Sequence, residues 1–246
     1  LEFRRVLFRS NDFVEFFRRA SCSVDRRRAR IGDAVMGTRI IGGPLPSITY
    51  CGTAYASASA STFTFTSQSI STASNRRFVI VGVVAAGSTI NSVTIGGVSA
   101  PRLDTGDPVG TNAKLFGLLV TSGTTATVVV TMSASVSNTV KIVTWAAYNL
   151  VSTTPRADNE SLSDPATLNM TVRSRGIAVI LATSNLNGAT YTTSGFSADL
   201  TVTSGVGNYP VLAGHVVSVP GGAPLALSVD YSSSAGGPRA VAISLR

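Results

Sequence analysis

Residues Gly123–Leu150 read GTTATVVVTMSASVSNTVKIVTWAAYNL, and the last stretch, Gly222–Arg246, repeats their pattern. Each is a strand, a Ser-rich turn and a second strand. In the first, Ala126, Val128, Val130 and Met132 share one face; in the second, Leu225, Leu227, Val229 and Tyr231 do. Polar residues alternate with them, the period-2 signature of a half-buried strand. The return strands also correspond, with Val143, Trp145 and Ala147 falling where Val241, Ile243 and Leu245 fall.

Working outward, the same texture fills the chain. Only 13% of its 246 residues are charged. Thr, Ser, Val, Ala and Gly dominate, a mixture of β-formers and turn residues that gives helices little support. Thr62–Thr66 alternates, with Phe63 and Phe65 inward. Arg77–Ala86, RFVIVGVVAA, is apolar on both faces and belongs in the middle of a sheet. Ile90–Ile95, Gly96-Gly97 and Val98–Leu103 predict a hairpin closed by a glycine pair.

The second half retraces this path at an offset of roughly 98 residues, a length compatible with an internal repeat. Leu168 and Met170 echo Phe63 and Phe65. Ile177, Val179 and Leu181 match Val79, Val81 and Val83 in parity, and Gly214 matches Gly117. The expectation is an all-β, antiparallel β-sandwich over residues 62–246, built from two similar halves, 62–150 and 167–246. One shared sandwich is favoured, because about five strands per half cannot cover a strand that is apolar on both faces. The polar stretch 151–164 reads as the connection between halves, and the Gly/Pro/Ser/Ala-rich residues 36–61 as a flexible arm or linker.

Residues 1–35 differ from everything after them. Nine arginines against five carboxylates leave them +4, half of the net charge of +8. Arg and Phe crowd together there, and LEFRRVLFRS resembles translated adapter or vector sequence, so the segment reads as non-native or disordered and Met36 as the start. The competing reading is a basic arm for nucleic acid. Elsewhere the charge is ordinary surface charge, and nucleic acid is not expected as a partner. No stretch approaches the ~18 apolar residues of a membrane span, and no apolar signal region follows Met36.

The segments GSTINSVTIGGVSAPRL (87–103), KLFGLLVTSGTTATVVVTMS (114–133) and KIVTWAAYNLV (141–151) together resemble the jelly-roll-type β-sandwiches of phage virion proteins and of secreted bacterial multidomain proteins. The resemblance implies a non-enzymatic virion structural protein, a tail or head-fibre component, that self-associates or packs against other virion proteins. The alternative it implies is a glycan-binding adhesion module at a bacterial cell surface. Its motifs are structural, and none is catalytic.

Candidate chemistry is sparse. His215 is the only histidine, so any Ser/His/Asp triad or histidine metal site runs through it. No G-x-S-x-G, H-x-x-x-H or C-x-x-C motif occurs, and no enzyme or cofactor is expected. Asp104 and Asp107, in LDTGDPVG, are the candidate calcium ligands, although Ca²⁺ takes six or more oxygens and two acids supply too few. Asp158, Glu160 and Asp164 form a second acidic group, read against a solvated loop. Trp145 alternates with core positions. Tyr191, Phe196 and Tyr209 lie in the less regular part of the second half and are the candidate ligand-binding surface.

Overall fold

The computed structural model describes residues 44–105, 112–185, 189–203, 209–217, 224–232 and 238–246. Residues 1–35 and Asp107 lie outside them. Among the described residues every regular element is a strand. The first half holds β1 (Ser47–Ser57), β2 (Ala60–Ser69), β3 (Arg77–Ala85), β4 (Ile90–Ile95), β5 (Val98–Ala100), β6 (Asn112–Leu119), β7 (Thr125–Val136) and β8 (Thr139–Tyr148). The second holds β9 (Ala157–Ser161), β10 (Ala166–Thr171), β11 (Ile177–Thr183), β12 (Tyr191–Ser194), β13 (Ser197–Val202), β14 (Val211–Val217), β15 (Pro224–Tyr231) and β16 (Arg239–Leu245).

These strands form four sheets, ordered β2-β7-β4-β5 (sheet I), β1-β8-β3-β6 (sheet II), β9-β16-β11-β14-β13 (sheet III) and β10-β15-β12 (sheet IV). Every strand pair is antiparallel. Adding eight to each strand number of sheet II gives the first four strands of sheet III, and adding eight to β2-β7-β4 gives sheet IV.

Three buried apolar layers separate the sheets. Phe63 and Phe65 of β2, Val79, Val81 and Val83 of β3, and Val128, Val130 and Met132 of β7 fill the space between sheets I and II. Leu168 and Met170, Ala178 and Ile180, and Leu227 and Val229 do the same between sheets III and IV. The middle layer joins the halves: Phe78, Ile80, Val143 and Trp145 of sheet II meet Ile177, Val179, Leu181, Val241 and Ile243 of sheet III. β3 and β11 are therefore buried on both faces, as their unbroken apolar runs require. Gly82 makes room in this layer, since a Cβ there would come within 3.2 Å of the Trp145 ring and 3.1 Å of Leu181.

The glycine-pair hairpin forms as expected, with Ile95 opposite Val98. Gly96 (φ 60°) and Gly97 (φ 82°) both take the left-handed conformation that a two-residue turn of this kind demands.

Four expectations need correction. First, each half carries eight strands rather than about five, and so builds two facing sheets of its own; the halves then share a third apolar layer instead of one core. Second, Ser47–Ser57 is no flexible arm but a strand paired with β8 along its whole length. Its register shifts between Tyr50 and Gly52, and one extra residue exchanges the faces of a strand. Ile48 and Tyr50 consequently pack into the middle layer, whereas Ala54 and Ala56 pack between sheets I and II. That switch erases the period-2 pattern. Third, the connection 151–164 contains β9, an edge strand whose polar side chains suit a sheet margin. Fourth, the parity match of β3 with β11 is off by one. Val79, Val81 and Val83 face sheet I, whereas Ile177, Val179 and Leu181 face the other half, so their counterparts are Phe78, Ile80 and Gly82.

Candidate functional site

Strands β13 and β14 form the margin of sheet III, and their pairing sets an arrangement with chemical character. Ser197 lies opposite His215, and Leu200 opposite Ala213. Between Ala198 and Leu200 the register slips by one residue, and the extra residue is Asp199. A bulge re-aims side chains, here bringing the Asp199 carboxylate to the imidazole. His215 Nδ1 lies 2.8 Å from both Asp199 oxygens. A carboxylate only accepts, so Nδ1 carries the proton. From sheet II, Trp145 Nε1 donates to Asp199 Oδ2 at 2.8 Å.

The indole is fully buried, while the Asp199 and His215 side chains are 9% and 22% exposed. Tyr50 of β1 joins the group. Burial, and secondly the Asp199 negative charge, push its phenol above the ordinary range. Tyr50 and Trp145 come from one half, Asp199 and His215 from the other, so the cluster is a polar tie across the middle layer.

An imidazole held at Nδ1 by a carboxylate is the orienting part of a catalytic triad. Among the described residues no serine hydroxyl is hydrogen-bonded to His215. Beside it runs an open groove of about 470 Å³ lined by Phe196, Ser197, His215 and Val217.

The residues singled out from sequence scatter. Phe196 lines this groove while also packing toward the layer between sheets III and IV. Tyr191 does not line it; its ring stands edge-on to Tyr231 at 5.3 Å, and its buried hydroxyl has no hydrogen-bond partner among the described residues. Burial raises the pKa of that phenol, and the neighbouring Tyr231 adds to the shift. Tyr209 is half-buried, and its carbonyl accepts the Lys141 ammonium. Desolvation lowers the pKa of that lysine.

Asp104 is 5% exposed and committed within the protein. It accepts Arg102 Nη2 and the Leu115 N–H, both at 2.6 Å. Burial raises its pKa despite these bonds. The acids of the connection separate too. Asp158 accepts the Thr105 N–H at 2.9 Å, Glu160 sits 3.8 Å from Arg239, and Asp164 accepts the Tyr231 N–H at 3.2 Å. Among the described residues no three His, Cys, Asp or Glu side chains converge on a metal position.

Sequence reading missed Asp199 and Tyr50. Asp199 follows an unremarkable Ser-Ala, and only the bulge gives it a role; its one signal is that it is the sole carboxylate in β13. No family model matches the chain, and no curated protein matches it in sequence.

Proposed function

We propose that the chain is a non-enzymatic virion structural protein, a tail or head-fibre component made of two duplicated jelly rolls stacked face to face. One observation carries the reading. The orders β1-β8-β3-β6 and β2-β7-β4-β5 support an eight-stranded jelly roll, and eight strands later β9-β16-β11-β14 and β10-β15-β12 follow the same orders, with β13 paired to β14 instead. Jelly rolls of two Greek keys build viral capsids and lectins. A rigid stack with three apolar layers suits a role in which the protein packs against copies of itself.

The test is assembly and location. The protein should form a closed oligomer by analytical ultracentrifugation, and antibodies against it should decorate purified particles in electron micrographs. A strict monomer at high concentration, with unlabelled particles, sinks the proposal.

A second reading has one observation in its favour. The groove beside Phe196, Ser197 and His215 combines an aromatic ring with polar groups, as carbohydrate sites do. In that reading the protein is a glycan-binding adhesion module at a cell surface. Glycan-array binding that Phe196→Ala abolishes supports it, and a blank array with the intact protein removes it.

A further inference from the structure

A second concavity, of about 370 Å³, opens at another place on the protein. Its polar lining is Arg76, Arg175 and Asn149, and its walls include Pro46, Leu150 and Val151. Among the described residues no acidic side chain lines it. The two arginines arrive from equivalent turns. Arg76 immediately precedes β3 and Arg175 lies two residues before β11, and these are the central, doubly buried strands of sheets II and III. Stacking of the two sheets brings the turns to one end of the middle layer.

Arg175 Nη2 donates to the Pro44 carbonyl at 3.0 Å, and Asn149 Nδ2 to the Leu45 carbonyl at 3.3 Å, so the segment ahead of β1 is held as one wall. The Arg76 side chain is exposed and makes no hydrogen bond or ion pair within the described residues.

Two arginines lining one pocket give it positive character and favour an anionic ligand. Their planar forks match a carboxylate in bidentate geometry. The volume falls within the range of small-molecule sites and exceeds what a lone inorganic ion fills. The proline and aliphatic walls suit the C–H face of a pyranose ring, and the asparagine amide suits its hydroxyls. We propose that this pocket binds an acidic sugar unit, its carboxylate held by Arg76 and Arg175 and its ring against Pro46, Leu150 and Val151. The site is independent of the assembly role. It adds to the adhesion reading a ligand class and a pocket separate from the Phe196 groove.

The experiment is calorimetric titration of the full chain with sodium glucuronate, glucose and inorganic phosphate at matched ionic strength. Glucuronate is expected to saturate a single site, and glucose to give no heat. Arg76→Gln should weaken glucuronate at least about tenfold, the loss of one charge-assisted fork. The Arg76 side chain bonds to nothing among the described residues, so its variant should keep the parent melting curve and report on the ligand alone. Arg175→Gln should weaken binding similarly, with a lower melting temperature from loss of the Pro44 tether.

No saturable binding by about 50 mM, a range that covers even weak sugar sites, overturns the proposal. So does glucuronate binding that Arg76→Gln leaves unchanged, or phosphate binding as tight as glucuronate. Phe196→Ala, carried through the same titration, should change nothing. A failure here therefore leaves the groove to be judged by the glycan array.

Discussion

Arg77 opens β3 with no exposure at all, and its guanidinium is spent on backbone carbonyls. Nε donates to Val120 at 2.9 Å, Nη1 to Ser71 and Gly123 at 2.8 Å each, and Nη2 to Ser122 at 2.6 Å. One side chain thus satisfies four carbonyls and clamps the turns before β3 and β7. Replacing it with Met keeps the aliphatic stem and strands those acceptors. Hydrogen bonds to a charged group contribute about 1.5–3 kcal/mol each, so the gross loss is about 6–12 kcal/mol. Removing a buried charge returns several kcal/mol of desolvation, which leaves a net destabilisation of about 3–5 kcal/mol. In a chain of this size each kcal/mol moves the melting temperature by about 2–4 °C, so Arg77→Met should melt roughly 10 °C lower by calorimetry. Arg77→Lys, with one ammonium for four acceptors, should fall between the two. A melting temperature for Arg77→Met within about 2 °C of the parent would show that water reaches those carbonyls and that the clamp is not holding the turns.

Gly117→Ala puts a Cβ 2.4 Å from the Phe78 ring, and overpacking of this kind should cost about 1–3 kcal/mol in urea melts, relieved when Phe78→Leu is added. The single tryptophan, Trp145, reports on the middle layer. Its emission should be blue-shifted in the native protein, and a double-mutant cycle of Trp145→Phe with Asp199→Asn should give a coupling of about 1 kcal/mol; additive effects would place no bond there. Burial pushes the Cys51 thiol up to about 11, against lowering by the Ala146 N–H and the Arg77 charge. Since the folded pKa exceeds that of the unfolded thiol, near ~8.5, the native state holds this proton more tightly. Its contribution to stability is complete below the unfolded pKa and fades as pH rises through about 11. Iodoacetamide should accordingly label Cys51 slowly at pH 8 and speed up only toward pH 11, and fast labelling at pH 8 contradicts the burial. Finally, residues 44–155 or 156–246 expressed alone would each expose one wall of the middle layer and should aggregate, whereas two soluble halves with separate cooperative melts would show that the layer is dispensable.

Alternation along Thr62–Thr66, Thr125–Met132 and Leu225–Tyr231, the doubly apolar runs of β3 and β11 and the Gly96-Gly97 turn were sufficient to read an all-β antiparallel sandwich from the chain alone. All of these are local signals, set by the period of two between faces and by the backbone freedom of glycine. β1 stayed hidden because its bulge at Cys51 moves its small apolar residues from one face to the other, and β9 because an edge strand needs no apolar face. The stacking of two sandwiches was decided only in three dimensions. A strand that is apolar on both sides demands cover on both without saying which surface provides it. The same holds for the polar groups. Asp199 lies 54 residues from Trp145 and 16 from His215, and Arg76 and Arg175 line one pocket although they stand 99 positions apart. No pattern with a period of two reaches so far. Only the packing of sheet II on sheet III sets those distances, because side chains that never alternate together become neighbours when their strands are layered.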